Sequence, residues 1–497
     1  MMGNHVVKLL AFSVIVAMTT SSFASSNLIS LSDDEMAAET GQALLSLGYT
    51  APSGTTGGLT DYGYYKLGME AKVEMNLNIK NLQLGCGGRN GPGVCDIDMS
   101  NVSLSGPADG KVNSANIAEN GTPAWSTGRP STSAVMTNPF IEFAIKNPTS
   151  ASTREVMGFR LSAEDVLGYL SAGTANVANP TDGIKTFSGF IKVAQTPVNA
   201  FTNPAMFGTT KDQMIYAKIT ALGIDRSVTT NPNAMTPGSG SYETPGNDIA
   251  AYVDPVTGQK VWGINVAKQN VNFNFPETIV TGNRMSQLNL VVKDVPIPTI
   301  AIGAADGALR MRLDQSILGL ANDPLFFMGA EGTSSASCAA NYNTSNCSYI
   351  TNLKANVTVK QNFNLIHNLP ISSGGYLSLQ KEAMKWPGSD SADIAQPGWW
   401  LSFKDPLDFG ALNPTSGIPM QDVLPQIATY VTDYLSQNNI DLGFGEALGA
   451  AVGAPIYKGI GNIQLANDAR AVMVLENLLL DGNQKPVPNC YGSLTFC

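Results

Sequence analysis

One short phrase, repeated along the chain, constrains the fold more than any other feature. Residues 77–84 read Leu-Asn-Ile-Lys-Asn-Leu-Gln-Leu, and residues 97–104, twenty positions later, read Ile-Asp-Met-Ser-Asn-Val-Ser-Leu. Alternation of apolar and polar residues predicts half-buried strands, because successive strand side chains point to opposite faces. At Asn81 and Asn101 the alternation slips by one residue. Such a slip sends every later apolar side chain to the wrong face unless a bend or bulge restores it, and Asn tolerates the left-handed backbone such a bend uses. The pattern returns as Val292-Lys293-Asp294-Val295-Pro296-Ile297, as Ile366-His367-Asn368-Leu369-Pro370-Ile371 and as Leu475-Glu476-Asn477-Leu478-Leu479-Leu480. A weaker relative is Ile219-Thr220-Ala221-Leu222-Gly223-Ile224. The expected fold is mainly β, a layered sheet or sandwich or a solenoid-like stack, with a few short helices and long polar loops.

The cysteines and the N-terminus point to export. Lys8, the apolar stretch Leu9–Met18 and Ser22-Phe23-Ala24 read as a signal peptide over residues 1–24. Six cysteines fall into three close couples, Cys86 with Cys95, Cys338 with Cys347 and Cys490 with Cys497. Fifteen pairings are formally open, but each couple brackets a Gly-, Asn- or Ser-rich turn, so local disulfides are expected. The spacings do not suit a zinc knuckle. No later stretch holds about 20 unbroken apolar residues, so no transmembrane helix is expected. The compartment implied is the periplasm, the outer membrane or the cell surface.

Charged residues are only 14% of the chain and the net charge is −10, against about 25% charged residues in a typical domain. A surface of Asn, Ser, Thr and Gly with no basic run excludes nucleic acid as the main partner. Residues 25–225 and 249–497 read as two β-rich regions joined by a polar loop or linker at 226–248, which is almost devoid of apolar side chains. Strands are expected at 140–145, 156–161, 184–193, 214–224, 260–266, 271–275, 288–292, 299–302, 355–363, 375–380 and 471–480. Ser162 with Asp165 resembles a capping box, predicting a short helix to about Ser171. The best helix is 423–437, where Val423, Ile427, Val431 and Leu435 form one apolar stripe.

Missing chemistry is as informative as what is present. His367 is the one histidine beyond the signal peptide, and its place in a strand phrase predicts a solvent-facing side chain. No multi-histidine metal site, nucleophile elbow, phosphate loop or dinucleotide fingerprint exists in the sequence. The paired cysteines leave no thiol nucleophile. No cofactor, metal site or catalytic residue is therefore assigned. Carboxylate chemistry survives, because a glycosidase needs only two acids. Asp390 and Asp393 beside Trp386, Trp399 and Trp400 could form a sugar site, although tryptophans in core positions are the commoner arrangement. Asp96 and Asp98 alternate beside Cys95 and read as a solvated strand face, lacking the Gly and Glu of a calcium loop.

The segment Leu31-Ser32-Asp33-Asp34-Glu35-Met36-Ala37-Ala38-Glu39-Thr40-Gly41-Gln42 combines a capping box with a glycine stop, predicting a helix of one to two turns. It resembles a segment that opens a set of exported gammaproteobacterial proteins, some labelled as pilus-system (Fil-type) proteins. The Gly85-Cys86-Gly87-Gly88 turn and the repeated β phrase are similar too. The resemblance covers about a tenth of the chain and implies envelope or pilus-system partners, with no catalytic residue to carry across. The expectation is an exported, non-enzymatic surface or pilus-associated accessory or adhesion component. Two alternatives stand beside it: an outer-membrane barrel, with Tyr64 and Tyr65 as girdle candidates and Phe496 near the C-terminus, and a carboxylate-based carbohydrate-active enzyme.

Overall fold

The computed structural model describes residues 45–52, 61–88, 91–106, 133–203, 205–206, 213–230, 252–253, 260–261, 265–266, 268–304, 310–313, 325–420, 422–481, 484–486 and 489. The signal segment, the helix expected after it and the Cys490–Cys497 couple lie outside these residues, as does most of 226–248. Within them the chain is mainly β, as its alternating patterns predict. The first nine strands are β1 (Leu45–Thr50), β2 (Tyr62–Met69), β3 (Lys72–Met75), β4 (Leu77–Leu84), β5 (Ile97–Ser105), β6 (Ala134–Lys146), β7 (Glu155–Ser171), β8 (Gly183–Val193) and β9 (Thr196–Phe201).

Twelve strands make the largest sheet, and its path runs β1, β2, β6, β7, Gly375–Gln380, Gly398–Phe403, β8, β5, β4. Strands from before and after residues 226–248 are thus interleaved in one sheet. Part of the path closes on itself: β7 pairs with Gly375–Gln380, that strand with Gly398–Phe403, then β8, then β5, and β5 pairs with the far end of β7. A 17-residue strand makes this possible by offering different stretches to different neighbours. The helix expected over 162–171 is instead the second half of β7. Pairing with β6 as far as Leu167, and with 368–371 and β5 at the far end, satisfies backbone groups that a helix would have bonded internally, so tertiary context overrides the local capping signal.

The remaining strands stack as coils. Gln287–Pro296, Lys354–Asn362 and Arg470–Glu476 form one three-stranded sheet, and Ile300–Ile302, Ser348–Thr351 and Gly461–Gln464 form another. Each chain segment contributes one strand to both sheets and turns a corner between them. A six-stranded sheet includes the Tyr216–Ala221 and Ile224–Thr229 hairpin. Among the described residues the α-helices are α1 (Ser335–Ala340), α2 (Leu424–Gln437) and α3 (Phe444–Ala451). Helix α2 buries the predicted stripe, with Val423, Ile427, Val431 and Leu435 all in the core. Cys86–Cys95 and Cys338–Cys347 are disulfide-bonded, and the first bond closes the turn of the β4–β5 hairpin.

The repeated phrase resolves into several devices. Asn101 (φ 52°), Asp294 (φ 58°) and Asn477 (φ 50°) adopt the left-handed backbone expected at the slip. Ile97 and Met99 before Asn101 and Val102 after it are all buried, so the bend keeps both halves of β5 facing the core. Asn81 and Asn368 are not left-handed. The weaker relative is no bent strand: Leu222 and Gly223, both at positive φ, form the two-residue turn between paired strands.

Candidate functional site

Strand register brings a cluster of charged and polar side chains to one face of the large sheet. In an antiparallel pair, residues directly opposite share a face. Lys66 lies opposite Glu142, Glu142 opposite Arg160, Arg160 opposite Ser378, and Ser378 opposite Trp400. A neighbouring row carries Phe140, Ser162, Tyr376 and Ser402. The segment 381–397, between Gly375–Gln380 and Gly398–Phe403, supplies Trp386, Asp390 and Asp393 to the same face. Together these elements wall an open cleft of about 500 Å³.

Arg160 is the hub. It is buried, its Nε donates to Glu142 Oε2 at 2.7 Å and its Nη2 donates to the Pro387 carbonyl at 2.8 Å. Its guanidinium lies 5.2 Å from the Phe140 and Trp386 ring centres and 5.5 Å from that of Tyr376. Burial pushes the Glu142 carboxyl up, against the pull of the Arg160 charge. Burial likewise lowers the Arg160 guanidinium, opposed by Glu142. The arrangement fixes one charge pair in an aromatic box and ties the 381–397 segment to the sheet.

Asp393 is a second anchor. It accepts from Tyr376 Oη at 2.7 Å, Trp400 Nε1 at 3.0 Å and Ser402 Oγ at 2.5 Å. Burial raises its carboxyl, with these three donors working against it. Burial and the Asp393 charge hold the Tyr376 hydroxyl far above the ordinary phenol range. Asp390 pairs with Lys192 at 2.5 Å, and that hydrogen bond holds its carboxyl below the usual value. The structure thus brings the two aspartates to one cleft, but Trp386 and Trp400 are fully buried and offer no stacking platform. Trp399 lies on the opposite face of the sheet.

Two expected surface residues are internal. His367 is buried: Nδ1 meets the Ala172 carbonyl at 3.0 Å, which assigns its proton to Nδ1 and leaves Nε2 without a partner. Its backbone N–H donates to Gln484. The position is not in a strand: it lies between the 3-10 turn Phe363–Leu365 and the strand 368–371 that pairs with β7, where the Ala172 carbonyl and Gln484 meet it. Asp96 is buried as well, paired with Arg284 at 3.0 Å and accepting from the Trp399 backbone. Arg284 also donates to the Gly85 and Gly91 carbonyls, so the pair pins the Cys86–Cys95 turn to the sheet. Asp98 keeps a partly exposed position. Among the described residues no group of three or more His, Cys, Asp or Glu is placed to hold a metal ion.

The reverse face of the same sheet is apolar and open at its β1 side, where Leu47, Tyr49, Tyr65, Phe143 and Leu161 are exposed, whereas Leu377, Leu401 and Trp399 at its far side pack against the main core. One cross-strand row reads Leu47, Leu67, Ile141, Leu161, Leu377, Leu401. The next reads Tyr49, Tyr65, Phe143, Phe159, Leu379, Trp399. None of the twelve is buried, and none carries a formal charge. Six strands at about 4.8 Å spacing give this surface a width of roughly 24 Å. It is the region sequence reasoning missed, although each strand shows its own alternation, because only the register reveals that the apolar positions line up.

Comparison with family models, with curated proteins and with solved structures finds no match to the chain.

Proposed function

We infer that the chain is an exported, non-enzymatic cell-envelope protein, a surface or pilus-associated accessory or adhesion component. The observation that carries this reading is the two-row apolar face, exposed at its β1 side. Contiguous exposed apolar surface of about 300–600 Å² is often an interaction site, and Leu47, Tyr49, Tyr65, Phe143 and Leu161 form an exposed part of this face without formal charge. Disulfides agree with an oxidising compartment, and the uncharged polar composition agrees with exposure outside the cytoplasm.

The carbohydrate-enzyme alternative rests on Asp390, Asp393 and the tryptophans. Asp393 spends its acceptors on three internal donors and two of the tryptophans are core, so these groups work as anchors. A membrane barrel would need an apolar outer band around every strand. Here the rows stop at Leu401: the next position is Gly189, where a Cβ would run into the Leu401 carbonyl and the Phe187 ring. Protease shaving of intact cells, blotted beside a periplasmic control, tests the proposal. Cleavage while the control survives supports it. A protein that is spared and extracts as a soluble periplasmic species overturns the surface role, and heat-modifiable gel migration would restore the barrel.

A further inference from the structure

Strand β1 ends the large sheet, and among the described residues its single partner is β2. No backbone hydrogen bond joins 45–50 to any described residue outside that pair. Natural edge strands are protected by charge, by Pro or by a bulge, because unpaired N–H and C=O groups recruit further strands. β1 has none of these. From Thr40 to Thr60 the chain carries no Lys, Arg, Asp or Glu, and the β1–β2 register runs without a shift. Leu47 is 85% exposed, while its row neighbours Leu67 and Ile141 are half-buried. The difference arises because Leu47 lacks a described neighbour on its outer side.

We propose that β1 pairs antiparallel with β1 of a second copy of this chain, about a two-fold axis through Leu47. The sequence of β1 is self-complementary in that register. Directly opposed residues share a face, so Leu47 meets Leu47 of the other copy and Leu45 meets Tyr49, all on the apolar side. Ser46 meets Gly48 on the reverse side. No like charges are brought together, and the aliphatic rows of the two copies join into one. The symmetry is isologous and closes at two, so the pairing yields a dimer and not a fibre. A six-residue edge buries less than the about 800 Å² per partner of a standard interface, so the dimer is concentration-dependent. The inference stands whatever compartment holds the protein.

Sedimentation of the mature chain over a concentration series tests it, with two charge variants and two cysteine variants. Wild type is expected to shift from monomer to dimer. Leu47→Lys places a charge on the edge and should weaken association at least tenfold. Leu161→Lys lies on the same face three strands inward and should leave it unchanged. Leu47→Cys should give a covalent dimer on oxidation, with the bond mapped by peptide analysis to position 47 of both copies, whereas Ser46→Cys should not. Three results overturn the proposal. A wild type monomeric throughout means that the copies do not pair; β1 outer-edge amides protected from exchange would then show another segment of the chain covering the edge, and unprotected ones an edge left open. Equal loss with Leu161→Lys means the copies stack face to face. Cross-linking strongest at Ser46→Cys means a different register.

Discussion

Replacing Arg160 by methionine tests whether the buried charge pair is what fastens the 381–397 segment to the sheet. The Arg160 and Glu142 side chains are only 6% and 4% exposed. Removing one partner leaves a buried carboxylate uncompensated beside aromatic rings, a class of change that costs about 3–5 kcal/mol. The substitution also removes the donor to the Pro387 carbonyl and the cation over three rings. Cation–π contacts contribute about 0.5–2 kcal/mol, but the losses overlap, so the expected total stays near 3–5 kcal/mol. Urea unfolding followed by tryptophan emission is the assay, since Trp386 packs against this box and Trp400 lies in the same cluster. Glu142→Gln added to Arg160→Met removes the stranded charge and should recover about 1–3 kcal/mol. Lowering the pH should also shrink the penalty of Arg160→Met, because burial already raises the Glu142 carboxyl and protonation neutralises it. The reasoning is refuted if Arg160→Met shifts stability by less than about 1 kcal/mol, or if the double variant is no more stable than the single.

His367 supplies a pH prediction. Burial lowers its imidazole below the ordinary 6.5, so its contribution is complete above that value and is lost as the pH falls from it toward the folded value. Melts between about pH 8 and pH 5 should show this decline and His367→Gln should flatten it; an unchanged profile would count against the buried neutral ring. Leu222→Asn should raise stability by about 0.5–1 kcal/mol, because Leu222 holds φ 53° at a two-residue turn where Asn-Gly is preferred. A lower denaturation midpoint would contradict that. Converting Cys338 and Cys347 to serine should cost about 2.7 kcal/mol by the chain-entropy relation for a loop of about ten residues, read from the same unfolding curves.

Much of the strand content was legible because it depends on local alternation. Asn270–Phe275, Gly375–Gln380 and Lys354–Asn362 lie where period-two patterns place them, and α2 follows its apolar spacing of four. The pivots at Asn101, Asp294 and Asn477 were legible for a chemical reason, since short polar side chains accept the left-handed backbone. Errors arose wherever a distant partner decided the outcome. Ser162 to Ser171 carries a helix-start signal, yet two neighbouring strands claim its backbone. His367 and Asp96 look like polar faces of a strand, and each is internal because another element covers it: Ala172 and Gln484 in one case, Arg284 in the other.

The candidate site was illegible for the same reason, and its logic explains why both faces of one sheet matter together. Glu142 sits between Phe140 and Ala144 on its own face, and Arg160 between Gly158 and Ser162. A lone charge in each of two predicted strands is a usable signal, but nothing local says that β6 and β7 set them opposite each other. Once that register is fixed, parity does the rest. Positions 140, 142 and 144 of β6 and 158, 160 and 162 of β7 share the face of the Arg160 box, so Ile141, Phe143, Phe159 and Leu161 face the other way. The apolar face is therefore the counterpart of the polar box: polar groups take the covered side, where hydrogen bonds satisfy them, and Phe143 and Leu161 are left exposed on the other. Exposure of Leu47, Tyr49, Tyr65, Phe143 and Leu161 forfeits the stabilisation that burial would give them, and for Leu47, at the sheet edge, that is a physical ground on which the proposed pairing of two copies rests.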